Sequence, residues 1–152
     1  MAQTYRLTGD DTLILFGRTI TDTADGDIAT ITVDNDIAAS VVGKGGNVIV
    51  AKDEQGRKCT ITVRILKAAG DDIFLQSHYQ SYENDSALFA FGTGSFSKRL
   101  GDGEGNVIFD TKYLKALHFN RAPYDAVINV NGNTDQAVTV YTMQALIERV
   151  VG

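Results

Sequence analysis

Cys59, Ile61, Val63 and Ile65 alternate with Lys58, Thr60, Thr62 and Arg64, a period of two that gives a strand one apolar and one polar face. Such a strand belongs to a sheet packed on one side only, so its second face meets water, a ligand or a partner. Other segments share the period. Residues 12–16 read as a buried strand, and residues 28–33 set Ala29, Ile31 and Val33 against Ile28, Thr30 and Thr32. Both are bounded by Asp/Gly clusters typical of turns. Residues 47–51 are expected to pair with residues 58–66 across a tip formed by Asp53, Glu54, Gln55 and Gly56, and Gly43 to Gly46 reads as a tight turn. Residues 72–83 are the one substantial helix expected. Asp71 is its N-cap, Asp72 favours the positive end of its dipole, and Leu75, Tyr79 and Tyr82 recur at i, i+4 and i+7.

Further along, residues 87–91 and 94–100 are strand-like, followed by a glycine turn at 101–105 and a long alternation over 107–119. There Val107, Phe109, Tyr113, Leu117 and Phe119 are expected on one face, with Thr111 and Lys115 interrupting it. After Pro123 a final hairpin is expected, with Ala126, Ile128 and Val130 before the Asn131-Gly132-Asn133 turn and Val138, Val140 and Thr142 after it. Residues 145–152 read as an apolar tail with no partner left to pair with. Short strands at regular spacing plus one helix predict an α+β, mainly β fold, an antiparallel β-sandwich or barrel with a flanking helix. With 152 residues and no linker or repeat, the chain is expected to form a single domain over 1–152.

Composition narrows the function. The net charge of −5 comes wholly from residues 1–36, which hold seven acids against Arg6 and Arg18; the remainder is balanced at twelve of each sign. A nucleic-acid binder concentrates Lys and Arg among aromatics, and no such stripe exists here. The acidic surface would let DNA pass without sticking. Cys59 is the lone cysteine, which rules out an internal disulfide and a multi-cysteine zinc site, and its place on an apolar face reads as a small buried hydrophobe. The start of the chain has neither a signal peptide pattern nor a membrane span, so synthesis in the cytoplasm is expected.

Catalytic patterns find little support. His78 and His118 are forty residues apart and neither sits in a ligand pair. Lys44 is followed by glycine where a phosphate loop needs Ser or Thr. The acidic stretches 22–27 and 102–110 lack calcium-loop spacing and read as solvated turns. No Gly-x-Ser-x-Gly elbow occurs. The expectation is a non-enzyme without metal or cofactor.

The order of features over residues 41–83, a glycine turn, a hairpin, an alternating strand and an Asp-initiated helix, resembles the tail-tube protein of contractile-tailed bacteriophages. The likeness is strongest over residues 25–28 leading to 34–37, over 43–75, and over 101–110 (GDGEGNVIFD). The tube proteins of contractile bacteriocins and type VI secretion systems look similar. This resemblance implies homohexameric rings stacked into the inner tail tube of a virion, assembled in the bacterial host cytoplasm, with double-stranded DNA passing through. It also implies sheath, tape-measure and baseplate proteins as partners, and no membrane insertion. Within that picture Thr60, Thr62, Arg64, Asp53 and Glu54 are channel-lining candidates. Lys44, Arg57, Leu146, Ile147, Val150 and Val151 are candidates for ring stacking and subunit contact. Two other classes compete: a carbohydrate- or peptide-binding β-sandwich using Phe89, Phe91, Phe96, Tyr113 and Phe119, whose alternation favours core packing instead, and a hydrolase assembled from dispersed acids.

Overall fold

The computed structural model of the chain describes residues 6–23, 29–52, 54–126 and 137–152, and antiparallel strands dominate them. In chain order they are β1 (Arg6–Leu15), β2 (Arg18–Ile20), β3 (Thr30–Val33), β4 (Ala38–Val42) and β5 (Val48–Lys52). A 3-10 turn (Glu54–Arg57) leads into β6 (Lys58–Leu66) and helix α1 (Gly70–Asn84). The chain continues through β7 (Gly92–Gly101), β8 (Val107–Phe119), β9 (Tyr124–Asp125) and β10 (Val138–Val151).

Eight strands form one sheet in the order β2-β1-β7-β8-β10-β6-β3, with β9 beside the start of β10, while β4 and β5 pair only with each other. β10 is the spine. Its first half lies between β6 and β9, and its second half pairs with β8 down to Val151 opposite Asp110. Beyond β2 the chain crosses to β6, where Asp22 O accepts from Leu66 N at 2.9 Å and Thr23 bridges Ile65. The two margins of the sheet are thereby joined into a barrel-like sandwich. Its interior is filled by Leu13, Leu15, Ile61, Val63, Ile65, Leu114, Tyr141 and Met143, all essentially inaccessible to water. The alternation of β6 holds throughout: Cys59, Ile61, Val63 and Ile65 are buried while Lys58 and Arg64 are exposed.

α1 closes one end. β1 and β6 finish there, and β7 begins there. Leu75 is buried in the core, Tyr79 meets Phe119 edge-on at 5.8 Å, and the Tyr141 hydroxyl donates to Asp72. Phe16, at φ 53 just past β1, stacks on His78 at 4.7 Å and on Phe119 at 5.5 Å. The chain leaves β3 and enters β6 at the other end, so the β4–β5 hairpin stands at the end remote from the helix.

Several expectations need correction. β5 does not pair with β6; it pairs with β4 in the register Ala38↔Lys52 to Val42↔Val48, and the hairpin tip is the Gly43 to Gly46 turn. Gly56 is not a tip residue. It is buried against the backbone of Asp36 and Ile37, where a Cβ would sit 2.3 Å from the Ile37 Cα. Residues 145–152 are not a free tail: 145–151 are the second half of β10, and Gly152 exchanges two backbone hydrogen bonds with Phe109. Leu146, Ile147, Val150 and Val151 straddle both faces of that strand and so hide its period. On β8 the predicted face is split by a bulge at Ala116, φ 55, so Val107, Phe109 and Tyr113 lie outward and half exposed while Leu117 and Phe119 turn inward. Residues 87–91 are turn and coil. Asp71 does not cap α1; the N-cap is Ala69, and Asp72 Oδ2 accepts from Ala68 N at 2.8 Å. Of the final hairpin, the strand at Val138 is present and Ala126 N donates to Val138 O, while residues 127–136 lie outside the described residues.

Candidate assembly surfaces

Every residue of β4 and β5 is exposed, with Val41 at 69% and Ile49 at 73%. The turn is fixed by Gly43 N donating to Asn47 O at 2.7 Å and Gly46 N to Gly43 O at 2.9 Å, with Gly46 at φ +86, where only glycine is at ease. Lys44 sits at this tip. The base is held by Asp34 N donating to Lys58 O at 3.0 Å and by the close approach of Gly56. The result is a firmly rooted arm whose five large aliphatic side chains, Val41, Val42, Val48, Ile49 and Val50, face water. Isolated two-stranded hairpins are at best marginally stable in water. This arm is the feature that the sequence reading missed.

The outward face of β6 is a second surface. Thr60 lies between Thr32 of β3 and Gln144 of β10, and Thr62 lies between Thr30 and Thr142. Hydroxyl side chains therefore run from β3 across β6, flanked on β10 by the buried Thr142 and by Gln144, and the Thr60 hydroxyl donates to Asp34 Oδ1 at 2.7 Å. Arg64, exposed, extends the same face. Glu54 is not brought to it by strand register, since it opens the 3-10 turn, and Asp53 lies outside the described residues. Arg57 is exposed at the end of that turn.

A third surface combines β8 and β10. Thr111 lies opposite Val150, Tyr113 opposite Glu148 and Lys115 opposite Leu146, which puts half-exposed Phe109 and Tyr113 on the same side as Leu146 and Val150. Ile147 packs against the core instead, and Val151 is exposed at the strand end. The five aromatics proposed as a sugar or peptide site do not form one exposed face: Phe89 and Phe119 meet edge-on at 6.5 Å, but in and against the core. Phe119 is buried, Phe89 and Phe96 pack against the core, and Phe91 and Tyr113 are exposed.

The buried ionic chemistry is architectural. Asp71 is fully buried, and its carboxylate accepts from Arg18 Nε at 2.6 Å, Thr21 N at 2.8 Å and Asp22 N at 2.9 Å. Burial alone would raise its pKa, but these donors outweigh that and hold it below the ordinary carboxylate value. The carboxylate thus ties α1 to the segment that crosses the barrel from β2 to β6. Burial pushes the Cys59 thiol up to about 11. His78, sandwiched by Phe16 and Phe74, has its pKa lowered by burial. Asp102 binds the Glu104 and Asn106 amides, a closed turn. Among the described residues no group of three His, Cys, Asp or Glu side chains is arranged to hold a metal ion, and no helix is long and apolar enough to cross a membrane.

No protein-family model and no curated protein matches the sequence. Solved structures do match in fold. A chain of the PVC sheath-tube complex in its extended state, from an extracellular contractile injection system, aligns with a TM-score of 0.58 at 15% identity over 93% of this chain and 87% of that one. The sheath/tube terminator of the same kind of system gives 0.58 at 14% identity over 93% and 92%. The tube-terminating cap of the anti-feeding prophage gives 0.61 at 14% identity over 100% and 93%. The chain therefore has the tail-tube-like fold, mainly β with one flanking helix, as the sequence resemblance implied.

Proposed function

We propose that this chain is a non-catalytic structural protein that builds a tube, its copies closing into rings that stack around a channel. The observation that carries the reading is the β4–β5 arm. A rigidly rooted hairpin with its aliphatic side chains in water has a purpose only when another surface covers it. The fold shared with tube and tube-terminator chains supports the same conclusion.

Within this proposal residues 1–152 act as one tail-tube-like domain. Six copies close each ring of a bacteriophage inner tail tube or of a related contractile injection apparatus. Sheath, tape-measure and baseplate proteins are the outer, inner and terminal partners. DNA passes along the lumen without specific binding in the phage case. The hydroxyl face of Thr60 and Thr62 with Arg64 lines the channel, offering little grip on bases or phosphates. Lys44 and Arg57 belong to the stacking end, and Leu146 and Val150 with Phe109 to subunit contact.

Light scattering across a concentration series, followed by negative-stain electron microscopy, tests the proposal. Rings or tubes of uniform bore are expected. A compact monomer at every concentration counts against it. A second reading, a tube terminator, is favoured by the cap chain, which aligns over the whole of this one with a TM-score of 0.61. It predicts single rings that do not elongate, whereas a tube subunit elongates with concentration.

A further inference from the structure

We propose that the β4–β5 hairpin of one copy seats on the C-terminal end of α1 in the next copy, head to tail. This rests on the tube reading above and names the acceptor that the reading leaves open.

The donor arm is apolar and cationic. Between Ala38 and Lys52 it carries Lys44 and Lys52 and no acid. The acceptor is apolar and anionic. From Ala68 to Ser97 the chain has four acids and neither Lys nor Arg. Asp71 and Asp72 are buried or half-buried on Arg18 and Tyr141, whereas Glu83 and Asp85 are exposed at the helix C-terminus, Glu83 accepting from the Tyr79 hydroxyl and Asp85 from Ala87 N, bonds that leave their negative charge uncompensated. No basic residue occupies the last turn of α1. Carboxylates at the negative pole of a helix are unfavourable, whereas a cation there is favoured. Around them Tyr82, Leu88 and Phe91 are exposed, Leu88 at 82%, and Tyr82 meets Phe89 edge-on at 5.5 Å. An apolar arm with a lysine at its tip complements this patch in both charge and character.

Geometry excludes the contact within one copy. Arm and patch stand at opposite ends of the barrel. The arm leaves from the start of β6 and α1 follows its finish, so the nine residues of β6 separate them by about 30 Å, while a five-residue strand reaches about 17 Å. Two different patches at opposite ends form a heterologous contact, which propagates along an axis as stacked rings require.

Charge exchange in the full-length protein tests the pairing. Lys44→Glu alone and the pair Glu83→Lys with Asp85→Lys are each expected to weaken self-association about tenfold by sedimentation velocity, and their combination to restore it to within about threefold. Circular dichroism confirms folding of each variant. If Lys44→Glu disrupts assembly while the helix-end pair leaves it unchanged, the acceptor lies elsewhere and the tube reading stands. If the unaltered protein never associates, both fall. Where a reversal does not fold, Val41→Cys and Phe91→Cys chains are mixed under oxidising conditions. Crosslinked pairs dependent on both cysteines support the contact, and assembled but uncrosslinked chains overturn it. The native Cys59 is buried and does not interfere.

Discussion

Gly56 and Ile37 touch through their backbones: a Cβ at position 56 would lie 2.3 Å from the Ile37 Cα and 2.5 Å from its nitrogen. This contact, with no side chain between the two segments, roots the β4–β5 arm. Gly56→Ala is expected to destabilise the protein by about 1–3 kcal/mol through forced backbone displacement, measured by urea unfolding, and to impair assembly. Gly45→Ala, at a tip position with nothing within 4 Å, is the matched control and should change neither.

Asp71→Ala leaves two backbone amides and a guanidinium without their acceptor. A loss of about 2–4 kcal/mol is expected, the half-exposed Arg18 recovering part of its solvation. The pH dependence follows from the lowered carboxyl pKa. The contribution is complete above the unfolded value of 3.8 and disappears as pH falls through the folded one. Asp71→Asn should therefore flatten the acid limb of the stability curve, and unchanged acid sensitivity would contradict the assignment.

His78 adds a milder dependence at higher pH. Its folded pKa is depressed by burial beside Phe16 and Phe74, so the unfolded chain binds the proton more readily. Stability is complete above the unfolded value of 6.5 and declines as pH falls below it. Thermal unfolding should show a lower midpoint at pH 5 than at pH 7, and His78→Phe should narrow that gap.

Deleting residues 145–152 removes the partner of residues 110–115 on β8 and the two last pairs with β6, Ala145↔Cys59 and Leu146↔Lys58. A sequence reading of these residues as an unpaired tail implies a folded, assembly-deficient remnant. Their place in the sheet implies a chain that does not fold. Loss of a cooperative thermal transition is the expected result.

The difference between those two outcomes marks where sequence and fold part company. β6 was legible because one face is buried and the other wet along its whole length, so composition and burial share a period. β10 is apolar on both faces near its end, and β4 has no buried face at all, so neither writes its partner into the pattern. Asp53-Glu54-Gln55-Gly56 has the composition of a hairpin tip, yet its glycine serves a tight backbone approach that only the folded chain reveals. The hydroxyl row of Thr60 and Thr62 was visible, whereas its extension through Thr30, Thr32 and Thr142 depends on register between strands distant in sequence.

Cys59 offers a direct probe of the core. Fully buried, with a thiol pKa raised to about 11 by burial, it should resist thiol reagents in the native protein at pH 8. Labelling is expected to track global unfolding across a urea series. Rapid modification of the native protein would place the residue in a more open setting.

At Ala116, β8 exchanges its two sides. Toward the helix it turns Leu117 and Phe119 into the dry interior, and on the other flank the same ribbon shows Phe109 and Tyr113 to the outside. A single irregular step thus lets one continuous stave be both wall and handle. Removing that step by one residue would trade the two environments, wetting the inner lining and stripping the outer grip at a stroke.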